Sequence, residues 1–329
     1  MDRLPTVSRN ILVLLLFMLF TLCSALLALK LGSSDITWGG LWQILLGEGS
    51  GVLSTVVWEL RIPRIVAAFV VGGLLALSGL LMQVLLRNPL ADPYVLGVSG
   101  GAAVAALLVL MGGVSVAWMA PAAFGGALLS MVLVFGLARL RGSQDPMRLL
   151  LTGVMIAAGW GALITFLLAV SPDRALRGMV FWLMGDLGQP LLPRWELLIL
   201  LVGVAATLLL AREINVLARG GVQAAAFGVS VERLRGILFL VASLLTATAV
   251  TLAGSVGFIG LVVPHMIRLM GISDHRLLIP ASVLFGGGVL ILSDAVARTL
   301  LAPQQLPVGV VTAMVGVPLF LYLLQRSSR

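Results

Sequence analysis

Charged side chains are scarce in this sequence, and lysine is almost missing from it. Charged residues make up 10% of the 329 residues and hydrophobic residues 60%, and the mean hydropathy is +1.15. A soluble domain carries about 25% charged residues, so this chain could not cover a globule with polar surface. Its apolar runs are continuous and ~20 residues long, which suits α-helices across a bilayer rather than the alternating strands of a membrane barrel. We therefore predict an all-α integral membrane protein.

The residue types needed for most chemistry are also few. The one lysine, Lys30, does not stand in the GxxxxGK[ST] pattern that holds nucleotide phosphates. The two histidines, His265 and His275, stand in neither HExxH nor any other paired metal spacing, and no GxSxG nucleophile motif occurs. We therefore expect no catalytic residues, no metal and no cofactor, and we predict that the chain is not an enzyme.

The single cysteine, Cys23, lies inside the first apolar run. It can form no disulfide within the chain, and we expect a buried, inert thiol. The formal net charge of +8 does not indicate nucleic acid, because the arginines stand at the ends of apolar runs, where membrane topology explains them. Composition thus predicts membrane lipid as a partner and no nucleic acid.

Ten apolar runs are candidates for membrane spans. They cover residues 11–31, 65–86, 95–112, 114–138, 149–170, 195–211, 236–254, 257–271, 277–301 and 308–325. The run at 257–271 is short and contains Pro264, which indicates a bent or partial span. A further segment, 179–187, is too short to cross and is expected near the interface. With the N-terminus in the cytoplasm, inner segments hold two thirds of the 21 lysines and arginines, so both termini are predicted inside.

A polar island interrupts the apolar sequence between Arg212 and Arg235. It holds six charged side chains, and the predicted topology places it in the cytoplasm. Within it, QAAAFG at 223–228 combines good helix formers with a following glycine, which favours one short helix. A membrane protein has little reason to keep such an island unless a separate protein in water binds it, although an ordinary solvated loop is the alternative.

Ionisable residues inside the apolar runs are few, which argues against a proton-coupled pump. The exception is Asp294 with Arg298, four residues apart on one face of the ninth run. The first interpretation is an ion pair neutralised near the outer membrane boundary. The second leaves Arg298 facing outward to meet an acidic partner.

Four segments together resemble one family. They are RIPR at 61–64, LLRNPLADPYVLGVSGGA at 85–102, GSVGFIGLVVPHMIRLMG at 254–271 and LPVGVVTAMVGVPLFLYLL at 306–324. Their order, spacing and frame of ten runs resemble the FecCD-type permeases, the membrane subunits of type II ABC importers for cobalamin, haem and ferric siderophores. The resemblance covers nearly the whole chain, and its second and third segments are the most specific.

This resemblance implies the type II ABC importer permease fold, with one transmembrane domain over 1–329 and a coupling segment at 212–235. It implies a homodimer in the bacterial inner (plasma) membrane, with ATP-binding subunits on the cytoplasmic side and a periplasmic substrate-binding protein outside. ATP would be hydrolysed on the separate chain. The cargo stays open among the three chelates, and an ion-coupled secondary transporter of ten spans is the alternative function.

Candidate site residues follow from the resemblance at three places. The ATPase-coupling residues are Gln223, Ala224, Ala225, Ala226, Phe227, Gly228 and Arg233. The binding-protein docking residues are Arg61, Arg64 and Arg298, which match arginines that pair with the partner's glutamates, although interfacial anchoring would also explain the first two. The gate residues are Ser143, Leu150 and Trp182, with an aromatic interfacial belt as the alternative for the tryptophan.

Overall fold

A computed structural model describes residues 6–32, 36–49, 51–139, 146–188, 192–302 and 304–327. Within these ranges the chain is helical and contains no strand, as predicted. The α-helices are α1 (Thr6–Lys30), α2 (Trp38–Leu45), α3 (Val52–Thr55), α4 (Ile62–Leu85), α5 (Val98–Met111), α6 (Met119–Arg139), α7 (Pro146–Val170), α8 (Asp173–Met184), α9 (Arg194–Leu209), α10 (Ala211–Arg219), α11 (Gly221–Ala226), α12 (Val231–Ala253), α13 (Ile259–Leu269), α14 (His275–Thr299) and α15 (Val308–Ser327). A π-helical turn, Val56–Arg61, leads into α4.

Every predicted apolar run coincides with a helix, but the helices differ in length. Among the described residues, six helical segments are long and apolar enough to cross a membrane, namely those containing α1, α4, α6, α7, α12 and α14. The pair α9 and α10 would add a seventh as a broken span, because the two helices meet at 64°. Helices α5, α13 and α15 are apolar but shorter. The short run with Pro264 therefore forms a partial span, and the count of ten spans stays a prediction.

The long helices form a buried centre and an exposed outer layer. In α4, 83% of the apolar window is buried inside the chain, followed by 67% in α14 and 61% in α12. The windows of α1, α6 and α7 are only 28%, 22% and 11% buried. A helix that is apolar on all sides is stable only when it is surrounded by protein or lipid. The first three helices therefore form the core, and the last three offer apolar faces to lipid or to another chain.

Close backbone contact between glycines holds the core helices together. A Cβ built on Gly72 of α4 would lie 2.3 Å from the carbonyl oxygen of Gly286 in α14. A Cβ on Gly79 would lie 2.0 Å from the carbonyl oxygen of Gly260 in α13. Small residues let helices approach where lipid offers no hydrophobic drive for association. The position of α4 between α13 and α14 thus depends on these glycines.

Two sequence expectations need correction. Cys23 is exposed on the outer side of α1 rather than buried, because only one side of that helix packs against the core. Residues 179–184 of the short segment expected at 179–187 form the second half of α8, a helix of 12 residues that begins at Asp173, and residues 185–187 follow it outside the helix. Its first turns carry Arg174 and Arg177, so a search for apolar runs could not find where it begins. Trp182 in its last turn is buried.

Candidate functional site

A buried ion cluster lies at the end of the bundle where α4 begins and α14 ends. The Nε atom of Arg64 donates to both carboxylate oxygens of Asp294 at 3.0 Å, and its Nη2 lies 2.9 Å from Oδ1. The Nε atom of Arg298 donates to Oδ2 of the same carboxylate at 3.0 Å. The Asp294 side chain is 2% exposed. One buried carboxylate therefore pairs with two guanidinium groups and offsets one of their two positive charges, in an environment poor in water.

Arg298 and a third arginine, Arg61, cap the end of α1. Arg61 donates to the carbonyl oxygens of Leu29 and Lys30, the second at 3.1 Å, and Arg298 Nη2 donates to the Ala28 oxygen at 3.3 Å. The last carbonyl groups of a helix have no partner within the helix and carry the negative end of its dipole. The guanidinium groups satisfy these carbonyls, and they tie α1 to α4 and α14.

Two further side chains complete this cluster. We call it the outer cluster after the topology predicted from the sequence, and it consists of Arg61, Arg64, Asp186, Asp294, Arg298 and Gln305. Arg64 Nη1 donates to the side-chain oxygen of Gln305 at 3.1 Å, and Arg64 Nη2 lies 3.9 Å from Asp186. Burial raises the pKa of Asp186, although the positive charge of Arg64 opposes the shift. Asp186 precedes α9 in a loop, and no local sequence signal placed it beside Arg64.

The structure thus brings together the three arginines predicted to dock a partner. Arg61 is 4% and Arg64 9% exposed, and the Arg298 side chain is 9% exposed. The first interpretation of Asp294 and Arg298, an i,i+4 ion pair, is confirmed by their 3.0 Å contact. The alternative, in which Arg298 faces outward, is not the conformation observed. Docking by these arginines stays a prediction.

The polar island folds into two short helices at the other end of the bundle. Helix α10 buries Ala211, Ile214 and Leu217 and leaves its other side exposed. A turn at Gly220, whose φ of 140° favours glycine, leads into α11. In α11 only Ala224 is buried. The segment therefore lies on the bundle by a narrow apolar face and presents the rest of its surface outward.

The short helix predicted at 223–228 is present as α11, and its end forms the rim of a pocket. Gly228 follows it with a φ of 79°, and a Cβ there would meet no atom within 4 Å. Phe227 is 76% exposed. Of the predicted coupling residues, Gln223, Ala225, Ala226, Phe227, Gly228 and Arg233 are exposed. A pocket of about 540 Å³ between the ends of α9 and α12 is lined by Phe227, Gly228 and Arg233, among others.

A hydrogen-bonded network that sequence reasoning missed joins α10 to the start of α14. The side-chain oxygen of Asn215 accepts from the backbone nitrogen of His275 at 3.0 Å and contacts its ring Nδ1 at 2.7 Å. The Asn215 amide nitrogen donates to Asp274 at 2.8 Å. Asp274 also accepts from the Arg276 amide as the N-cap of α14. Burial acts to raise the pKa of Asp274, but the hydrogen bonds from Arg276 and Asn215 outweigh it and hold the pKa below its usual value.

The predicted gate residues do not form one site within this chain. Leu150 lies half-buried near the start of α7, whereas Trp182 follows the far end of that helix. The 25 residues of α7 span about 37 Å at 1.5 Å per residue, so the two side chains belong to opposite ends of the bundle. Trp182 lines a pocket of about 560 Å³ together with Asp186. Ser143 lies outside the described residues.

The surroundings of His265 are those of a side chain that packs between helices. His265 is 6% exposed, and its ring centroid lies 6.1 Å from that of Phe320. Within the part of the chain that the structure describes, no group of three or more His, Cys, Asp or Glu residues could hold a metal ion.

Comparison with known proteins gives one consistent result. Residues 16–326 match the model of the FecCD transport family. The cobalamin import system permease protein of Halobacterium salinarum is 44% identical over 276 residues, covering 82% of this chain and 73% of the relative. The vitamin B12 import system permease protein of Serratia proteamaculans is 40% identical over 302 residues, covering 90% and 88%. A metal-chelate type ABC transporter solved in an inward-facing conformation superposes with a TM-score of 0.83 and 28% identity, covering 96% of this chain and 99% of that one.

Proposed function

We propose, from the premise that the chain belongs to the FecCD transport family, that it is the subunit through which an ABC importer moves a metal chelate into the cytoplasm. Permeases of this family are transport subunits and not enzymes, so ATP hydrolysis takes place on a separate chain. Two relatives are named for cobalamin import, which makes cobalamin the first cargo to test, ahead of haem and ferric siderophores.

The observation that carries this proposal is the exposed polar island beside a pocket. Val222 is 88% and Phe227 76% exposed, at the end of the bundle that we assign to the cytoplasm. Large apolar side chains in water mark a surface for another protein, and here they stand within a charged segment. The coupling segment at 212–235 therefore docks the ATPase subunit, with α11 and Gly228 at the contact and Arg233 at its rim.

The outer cluster supports docking of a binding protein at the opposite end. It contains three guanidinium groups and two carboxylates, a formal excess of one positive charge. An excess of one sign speeds the encounter with an oppositely charged partner and sets its orientation more than it adds affinity. A periplasmic protein with glutamates on its contact face fits this requirement.

The exposed apolar face of α7 supports a homodimer. Only 11% of its apolar window is buried inside the chain, and its exposed glycines Gly159 and Gly161, where a Cβ would meet no atom within 4 Å, permit close approach of a second copy. The translocation path then lies between two copies, with Leu150 near its inner mouth and Trp182 near its outer mouth. We propose one transmembrane domain in the bacterial inner membrane with both termini in the cytoplasm.

Reconstitution into liposomes tests the function. The chain is inserted together with its ATPase subunit, and ATP-dependent uptake of cyanocobalamin, haem and a ferric siderophore is measured in the presence of the binding protein. A hydrolysis-deficient ATPase subunit serves as the control. We expect uptake of one chelate only with the active subunit. Uptake by the chain alone, driven by an ion gradient, would instead establish a secondary transporter.

Two glycine substitutions, one of them a control, test the role of the coupling segment. Gly228→Val places a branched side chain at a φ of 79°, where it is strained, and at the proposed contact with the ATPase. Gly113→Val is the matched control, because Gly113 has a φ of 64° and equally open space in the loop before α6. We expect both variants to assemble, and only the Gly228 variant to hydrolyse ATP without moving cargo. Coupled uptake by that variant would remove Gly228 from the contact.

A further inference from the structure

The orientation of Asn215 is determined by its neighbours. Its amide nitrogen points to the Asp274 carboxylate at 2.8 Å, and its oxygen points to the backbone nitrogen and ring Nδ1 of His275. The reversed amide would bring an oxygen against the carboxylate and a nitrogen against a backbone donor, so both sides of the contact would be lost. It follows that Nδ1 of His275 carries the proton that it donates to Asn215.

This network is the directional contact between α10 and α14. The inward face of α10 consists of Ala211, Ile214 and Leu217, which are all buried. The hydrophobic effect has no preferred direction, so three apolar side chains resist separation of the helices more strongly than they resist sliding. Three polar contacts from one side chain do set a register, because each has a narrow range of length and angle.

Movement of α11 reaches Asn215 through a short connection. The Gly220 amide donates to the Leu217 oxygen at 3.0 Å, and the Ala224 amide donates to the Gly220 oxygen at 2.9 Å. One residue thus belongs to the hydrogen bonding of both helices. A force applied at α11 is passed to α10 without an intervening loop.

On its other side the network holds the first turn of a long helix. Helix α14 runs for 25 residues, about 37 Å, and carries Asp294 and Arg298 of the outer cluster near its far end. Its middle lies in backbone contact with α4 at Gly72 and Gly286. Pro280 in the second turn leaves one backbone hydrogen bond unmade, but the helix continues through it to Thr299. A packed core moves by discrete shifts rather than by gradual deformation. A displacement of the first turn therefore extends towards the outer cluster.

We propose that Asn215 is the positioning residue that makes α14 follow the coupling segment, so that movement of α10 at one end of the bundle reaches the outer cluster at the other. Asp274 and His275 are its partners at the start of α14. The inference rests on the proposed function, since it assumes that a partner drives α10. It assigns the transmission of that movement to one side chain.

Transport stoichiometry in the reconstituted complex tests this role. The readout is the number of cyanocobalamin molecules moved per ATP hydrolysed, measured on equal amounts of assembled complex. We expect Asn215→Ala to lower this ratio at least roughly tenfold, the factor for losing a hydrogen bond to a charged group. Asn10→Ala, an exposed asparagine in α1, is the matched control and should leave the ratio unchanged.

An exchange of partners separates transmission from simple destabilisation. Asn215→Asp puts two carboxylates side by side and should lower the ratio as Asn215→Ala does. Adding Asp274→Asn puts the amide donor at position 274 and the carboxylate acceptor at position 215, so the hydrogen bond between them is restored in the reverse direction. Asparagine is also a good N-cap for α14, so the double variant should recover most of the wild-type ratio. A wild-type ratio in the Asn215 single variants, or a double variant no better than Asn215→Asp, would overturn the proposal.

A second measurement needs no cargo. Spin labels are attached in a Cys23→Ser background at Ala218→Cys on α10 and, separately, at Val296→Cys on the exposed side of α14. With the ATPase bound, ATP should change the label distances between the two copies at both positions in the wild type. In Asn215→Ala only the α10 distance should change. Equal change at α14 overturns the inference, whereas lack of cyanocobalamin uptake by the wild type counts against the proposed function alone.

Discussion

Replacing Asp294 with asparagine removes the buried carboxylate that Arg64 and Arg298 share, and it leaves Arg64 only the more distant and partly exposed Asp186. Both arginines contact Asp294 at 3.0 Å, and its side chain is 2% exposed. Breaking a buried ion pair by removing one partner costs about 3–5 kcal/mol, because the remaining charge stays buried without compensation. Since every 1.4 kcal/mol is a factor of ten, the unfolding equilibrium should shift by roughly two to four orders of magnitude.

Asp186→Asn is the control, because it makes the same chemical change in the same cluster. The Asp186 side chain is 39% exposed and lies 3.9 Å from Arg64, so its removal should cost less than ~1 kcal/mol. Both variants are unfolded reversibly in mixed micelles and followed by the fluorescence of the seven tryptophans. Equal losses in the two variants, or a loss below ~1 kcal/mol for Asp294→Asn, would show that burial of the carboxylate does not determine the stability of the cluster.

Three further outcomes are expected. Gly79→Leu should lower the free energy of unfolding by about 3 kcal/mol, because its Cβ would meet the Gly260 oxygen at 2.0 Å. The control Gly136→Leu, on the exposed side of α6, should change that free energy little. Asp274→Ala removes the N-cap of α14 and should lower the free energy of unfolding by ~1 kcal/mol at pH 7. The pKa of Asp274 is lower in the folded than in the unfolded protein, so its stabilising contribution is complete above the unfolded pKa and is lost as the pH falls through the folded pKa. The difference in unfolding free energy between wild type and Asp274→Ala should therefore narrow below pH ~4. Cys23 should react with a lipid-soluble maleimide and not with a charged one.

Local patterns predicted the helices, because the signals for a helix lie within a few residues of one another. The apolar runs, the short helix α11 and the pair of Asp294 and Arg298 are all of this kind. The contact between Arg64 and Asp294 joins residues 230 positions apart, and that between Asn215 and Asp274 joins residues 59 apart. Such contacts follow from how helices pack, and no spacing in one sequence encodes them.

Exposure was harder to predict than helicity. Cys23 was expected inside because it stands among apolar residues, but in a bilayer both the core side and the lipid side of a helix are apolar. The burial of Arg61, Arg64 and Arg298 was also hidden, since charge alone suggests contact with water. What decides burial here is whether a polar partner is available inside, and that depends on the tertiary structure.

The arginines of the outer cluster make contacts for which lysine is a poorer fit. The end of α1 leaves the carbonyl groups of Ala28, Leu29 and Lys30 to be satisfied near lipid, where an unpaired backbone group is costly. A planar guanidinium group can donate to a carboxylate and to a carbonyl at once, as Arg298 does, whereas an ammonium group is a compact and strongly hydrated charge. The residues that join α1, α4 and α14 are therefore the same ones that give this end its positive charge. If an acidic partner binds there, its carboxylates must compete with Asp294 for Arg64 and Arg298, and docking is then tied to the packing of the three helices.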